Sequence, residues 1–144
     1  MTYEKILQDL KNKIYHPVYF LCGDEPYYID LLSDYIEKNV LSDSEKEFNQ
    51  SILYGKDVDV LTLISHAKRY PMMSNYQVVI VKEAQEVRNL TGKDSKDKKD
   101  DKNPLFEYVQ HPQKSTVLVL CYKYKNFDGR TKLYKEIEKF LYDN

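Results

Sequence analysis

Val18-Tyr-Phe-Leu-Cys-Gly-Asp-Glu-Pro-Tyr-Tyr-Ile-Asp30 decides the reading of the fold: an apolar strand runs into a Gly-Asp-Glu-Pro turn and then straight into a helix. In a nucleoside triphosphatase this strand–turn–helix step holds the phosphate-binding loop, which needs a second glycine five residues after the first, then Lys and Ser or Thr. Counted from Gly23, those places hold Tyr28, Ile29 and Asp30. No lysine is placed for the β- and γ-phosphates and no hydroxyl for Mg²⁺. The carboxylates of Asp24, Glu25 and Asp30 would repel an anion. Gly23, Asp24 and Glu25 therefore form a degenerate phosphate loop, with the architecture of a nucleotide site and none of its chemistry.

Outward from this step, helices and strands alternate. Tyr3, Ile6, Leu7 and Leu10 have the spacing of one helix face over residues 3–12. His16-Pro17 breaks that helix before a strand at 18–22. Pro26 suits the first turn of a helix reaching about residue 41, with an apolar stripe of Tyr28, Leu31, Leu32, Tyr35, Ile36 and Val40. Residues 47–54 read as a second strand closed by Gly55. Asp57 or Asp59 is placed to cap a helix through Arg69, with Val60, Leu63, Ile64 and Ala67 inward.

Residues 77–81 and 115–121 are apolar on both faces, the mark of parallel strands covered on both sides. Helices are expected at 104–110 and at 131–142, the latter carrying Leu133, Ile137, Phe140 and Leu141 on one side. The pattern αβαβαβαβα implies right-handed crossovers and a three-layer αβα sandwich with a mainly parallel sheet. Residues 92–103 contain no apolar side chain and are expected to form a flexible, solvated insertion within a single domain spanning 1–144.

Composition narrows the function classes. The 144 residues are 42% hydrophobic and 31% charged, which suits an ordinary soluble domain with a real core. No apolar run approaches the ~20 residues of a membrane span, and the N-terminus reads as a helix rather than a signal peptide, so a cytoplasmic location is expected. A formal net charge of −1 argues against nucleic acid as the main partner, since tight binding there needs a basic face. The 14 tyrosines are spread along the whole chain instead of forming a stacking platform.

Cys22 and Cys121 each end a strand pattern. A disulfide is formally possible if the strands are neighbours, and burial as small hydrophobes is the other reading. His16, His66 and His111 lack the spacing of a metal site. No metal or other cofactor is expected. A triphosphatase would also place an Asp-Glu pair after the third strand; here Lys82 and Glu83 stand there. No nucleophile elbow or Cys–His constellation is present, so no catalytic residue is assigned.

Tyr70-Pro71-Met72-Met73-Ser74-Asn75 is the other unusual stretch. Two long apolar side chains stand on a short connection where polar residues are the rule. Either the methionines close the end of the core or they are displayed to a partner, a use to which flexible Met is well suited.

Taken together, the 18–29 block, the Pro71–Val81 block Pro-Met-Met-Ser-Asn-Tyr-Gln-Val-Val-Ile-Val, and Phe127-Asp-Gly-Arg-Thr-Lys-Leu resemble the N-terminal domain of the δ subunit of the bacterial DNA polymerase III clamp loader. The order and spacing of these blocks cover essentially the whole chain. The resemblance implies a P-loop NTPase (AAA+)-like fold that has lost ATP hydrolysis. It also implies a non-catalytic subunit of the polymerase holoenzyme that binds the ring-shaped sliding β clamp and opens it for loading onto primed DNA during replication.

The family inserts an apolar pair, commonly Leu-Phe, into a clamp pocket. That pair falls here on Met72 and Met73, with Lys68, Arg69 and Tyr70 on the adjoining surface, and Lys68 stands near a place where some members carry Gln. The lid and collar domains of the family are absent from these 144 residues, and contacts with other loader subunits are assigned to them. DNA is met only in the full assembly, and no membrane is involved. The family's fifth strand is placed past Asn144, which leaves one sheet edge unpaired. Two other readings stand beside this one: a nucleotide-binding regulatory domain with a non-standard loop, and a DNA-binding α/β domain using Lys and Tyr side chains near 122–125.

Overall fold

The computed structural model describes residues 2–90, 103–123, 135 and 141–143. Their elements are α1 (Tyr3–Lys11), β1 (Val18–Gly23), α2 (Pro26–Asn39), α3 (Asp43–Asn49), β2 (Gln50–Tyr54), α4 (Val60–Ala67), β3 (Gln77–Lys82), α5 (Pro104–Gln110), β4 (Thr116–Lys123) and β5 (Leu141–Asp143). Single 3₁₀ turns follow β2 and β3. All five strands are parallel, in the order β2-β3-β4-β1-β5.

The continuous apolar strands do what a doubly covered sheet requires. In β1, Val18, Phe20 and Cys22 point to a layer built from α4 and α5, where they meet Leu63, Ile64, Ala67, Leu105 and Val109. Tyr19 and Leu21 point the other way, toward Ile6 and Leu10 of α1 and Ile29, Leu32 and Ile36 of α2. The result is the expected three-layer αβα sandwich. Cys22 and Cys121 lie on adjacent strands yet on opposite faces of the sheet, because Cys121 is opposite Leu21 and Cys22 opposite Tyr122. Both are buried thiols outside any disulfide, and a bridge between them is excluded by the pleat. Burial pushes the Cys121 thiol up to about 11.

Caps set several boundaries. Pro26 opens α2, and the Asp59 carboxylate accepts from Thr62 N at 2.9 Å to start α4. Helix α4 stops at Ala67 with Lys68 as its C-cap, short of the expected Arg69.

Three expectations are corrected. Residues 43–49 are helical, where a strand was expected from residue 47. Ser42 and Glu45 form a reciprocal capping box that starts α3: Ser42 Oγ accepts from Glu45 N at 3.3 Å, and Glu45 Oε1 accepts from Ser42 N at 3.0 Å. The fifth strand lies inside the chain at Leu141–Asp143, so Leu141 and Tyr142 belong to a strand and not to the end of a helix; β5 covers the open edge of β1 and buries Tyr142. The rest of the 131–142 expectation lies outside the described residues, apart from a helical Lys135. Of the 92–103 insertion only Asn103 is described, and it is not solvated. Its buried side chain accepts from Leu105 N at 2.8 Å and donates to Leu90 O at 3.0 Å, which caps α5.

Candidate functional site

A parallel sheet has two chemically different ends, and each of the two candidate regions occupies one of them. Gly23–Glu25 lie at the C-terminal end of β1, while Met72 and Met73 precede the N-terminal end of β3. Six-residue strands at about 3.3 Å per residue place these regions roughly 20 Å apart.

At the C-terminal end, Gly23 turns the chain with φ 139°. The Glu25 carboxylate accepts from Tyr27 N at 3.0 Å and caps α2. The helix N-terminus, where a phosphate would bind in a nucleotide site, thus holds the chain's own anion. The cations nearby are consumed in the same way. Lys123 Nζ, at the end of β4, lies 2.7 Å from Asp30 and 3.7 Å from Glu83, and Lys82 Nζ lies 3.9 Å from Glu37. Burial pulls the Lys123 ammonium down, but its bond to Asp30 and the charges of Asp30 and Glu83 outweigh this and hold it above its ordinary value. Glu83 adopts a left-handed backbone, φ 56°, and Gln85 bridges its carboxylate to Lys123 N. Lys123, Asp30, Glu83 and Gln85 thus form one partly exposed polar network, with Lys82 and Glu37 as a separate pair.

Tyr122 packs on Phe20 with ring centroids 5.6 Å apart and planes tilted by 32°, and Lys123 is paired with Asp30 rather than left as an open cation for a nucleic-acid backbone. Tyr124 and Lys125 lie outside the described residues. Among the described residues no group of three or more His, Cys, Asp or Glu is arranged to hold a metal ion, and no helix is long and apolar enough to cross a membrane.

The N-terminal end of the sheet is different. Met72 is 62% exposed and Met73 is fully exposed, so the methionines do not close the core. Lys68, Arg69 and Tyr70 are exposed beside them. The loop that carries the pair is fixed at both ends. On entry, the buried Gln77 amide donates to Arg69 O at 2.5 Å and to Thr116 Oγ1 at 2.8 Å. The Thr116 hydroxyl donates to Ala67 O at 2.7 Å, and Gln113 adds a bond to Arg69 O at 2.6 Å. These side chains satisfy the carbonyls that α4 leaves open at its C-terminus.

On exit, the buried Asn49 amide grips Met72 from both sides, accepting from Met72 N at 2.6 Å and donating to Met72 O at 2.9 Å. Ser74 donates to Glu45 Oε2 at 2.6 Å. The Ser74 bond, with those from Ser42, lowers the Glu45 carboxyl below its ordinary value. Met73 itself sits at φ 55°, a left-handed conformation uncommon for a non-glycine residue.

Met72, Met73, Lys68, Arg69 and Tyr70, grouped together on sequence grounds, are neighbours on this loop. Helix α3 adds a residue that the apolar pattern does not single out. Phe48, 68% exposed, lies beside the methionines and lines with Met72, Met73, Asn49, Glu45 and Ser44 a groove of about 340 Å³. The signal for it was Ser42-x-x-Glu45, a helix start that turns Phe48 outward.

Residues 19–142 match the family model for the DNA polymerase III delta subunit. A DNA polymerase III subunit delta from Bacillus subtilis (strain 168) is 32% identical over 138 residues, covering 95% of this chain and 39% of that protein. The solved structure of the Bacillus subtilis DNA clamp loader delta protein (YqeN) superposes with a TM-score of 0.81 at 31% identity, covering 99% of this chain and 42% of that one. The chain thus spans about two-fifths of the length of these relatives. With the match running from β1 to β5 and the likeness extending over the whole sandwich, the chain belongs to the DNA polymerase III delta subunit family.

Proposed function

We propose that residues 1–144 form the clamp-gripping, AAA+-like N-terminal domain of a clamp-loader delta subunit, with Met72 and Met73 as an apolar plug for a pocket on the sliding β clamp. The observation that carries this reading is a fully exposed Met73 on a loop pinned at both ends by buried amides. A flexible loop would lose ordering entropy on binding, and a pinned one has already lost it. Membership of the delta subunit family supports a sliding clamp as the partner.

The two methionines do not suffice alone. Burying them fully is worth about 3–6 kcal/mol gross, against at least ~4 kcal/mol for association. Lys68, Arg69 and Tyr70 widen the contact. In this reading the domain hydrolyses nothing, which is supported by Glu25 capping the helix N-terminus and by the pairing of Lys123 and Lys82 with Asp30, Glu83 and Glu37. It opens the ring by binding the open clamp more tightly than the closed one, which is the only means a non-hydrolysing subunit has to shift that equilibrium. Contacts with other loader subunits and with DNA belong, in this reading, to parts of the relatives that this chain does not span.

Calorimetry of this chain against the cognate clamp tests the proposal. The parent binds, and a Met72→Ala/Met73→Ala variant that still folds loses about 3 kcal/mol or more. Equal binding by both would move the contact elsewhere, and no binding by the folded parent would remove the proposal.

A further inference from the structure

The methionine pair is one half of a larger apolar feature. Helix α3 ends at Asn49, and its last turn stands against the loop, so Phe48 and the two methionines share one groove. A two-thirds exposed aromatic side chain beside two exposed methionines makes a contiguous apolar patch around one groove, the kind of surface that marks an interaction site. It is also the composition of an interface centre, where aromatic residues and Met are enriched. Asn49 is the hinge between the halves. It is buried, and one carboxamide bonds Glu45 O in α3 and both backbone groups of Met72 in the loop.

We infer that the clamp-contacting surface is bipartite, with Phe48 of α3 as a third apolar contact and Asn49 as the positioning residue that sets the methionines relative to it. This rests on the clamp-gripping reading above and commits to the same partner, because the groove is continuous with Met72 and Met73. An apolar pocket that accepts the methionines meets Phe48 at its rim.

The test is calorimetry of the cognate sliding clamp against this chain carrying Phe48→Ala, Asn49→Ala or, at the opposite end of the sheet, Tyr27→Ala. Phe48→Ala is expected to weaken binding about tenfold without lowering Tm, as befits an exposed side chain in an interface centre. Tyr27→Ala is expected to leave binding unchanged. Asn49→Ala is expected to lower both Tm and affinity. Its effect on affinity should vanish in a background already carrying Met72→Ala/Met73→Ala, while its effect on Tm persists. A purely structural residue would lower Tm without that dependence.

If the parent binds through the methionines but Phe48→Ala stays within twofold of it, the bipartite surface is wrong and the plug stands. If Asn49→Ala weakens binding equally with and without the methionines, its positioning role is wrong. If the folded parent does not bind, both the inference and the reading beneath it fall.

Discussion

Replacing Gln77 by Leu should loosen the loop at its entry by a calculable amount. The Gln77 amide has two hydrogens and lies within bonding distance of four acceptors, the closest being Arg69 O at 2.5 Å and Thr116 Oγ1 at 2.8 Å; His66 O and Ala67 O are each at 3.2 Å. Because Thr116 gives its own proton to Ala67 O, its oxygen is free to accept, and the two strong Gln77 bonds run to Thr116 and Arg69. Gln113 also donates to both of these acceptors, at 2.9 and 2.6 Å, so neither is orphaned in the variant.

The loss is then about two net hydrogen bonds, roughly 1–3 kcal/mol, or a fall in Tm of roughly 3–10 °C for a domain of this size. Gln77→Glu should cost more at neutral pH, since a buried carboxylate would face only acceptors. Its deficit should shrink on acidification, because burial raises the folded carboxyl's pKa and the protonated acid recovers one donor. Thermal melts at pH 7 and pH 4 check both variants. A Gln77→Leu melt within 1 °C of the parent would refute the proton assignment around Thr116.

Gly55→Ala tests the other end of the sheet. A Cβ there would lie 1.9 Å from Glu83 O and 2.9 Å from Glu83 C, backbone that cannot step aside cheaply. A loss of about 3 kcal/mol is expected in chemical denaturation, and parent-like stability would contradict the close approach. Ser74→Ala should raise the Glu45 pKa toward its ordinary 4.5, read by carboxyl NMR titration. In the parent the lowered pKa contributes stability that is present above 4.5 and lost as pH falls through the folded value, so the variant should show a shallower acid decline. An unchanged Glu45 titration would mean that Ser74 does not anchor it in solution.

The sheet was legible because β1, β3 and β4 are apolar at successive residues, a pattern that only a doubly covered parallel strand explains. The missing phosphate chemistry was equally plain from Tyr28, Ile29 and Asp30. What was not legible depended on long-range partners. Edge strand β2 is only half-buried, so its periodicity is weak, and the helix that starts at Ser42-x-x-Glu45 just before it has no apolar stripe to mark it. Leu141 fits a helical apolar stripe as well as a strand, and pairing with Phe20 decides between them. Met72 and Met73 were recognisable as out of place, yet their exposure rests on Asn49, 23 residues earlier, and on Gln77, whose partners are 8 to 39 residues away. No local pattern carries that information.

The chain has three methionines, Met1, Met72 and Met73, which makes the central claim directly observable. With ¹³C-methyl-labelled methionine, addition of the cognate sliding clamp should shift or broaden the Met72 and Met73 methyl signals, with Met1 as an internal reference. The account predicts that both loop methyls respond together as the clamp saturates. Clamp binding that leaves both signals unmoved would contradict it, and would place the grip on some other face of the sandwich.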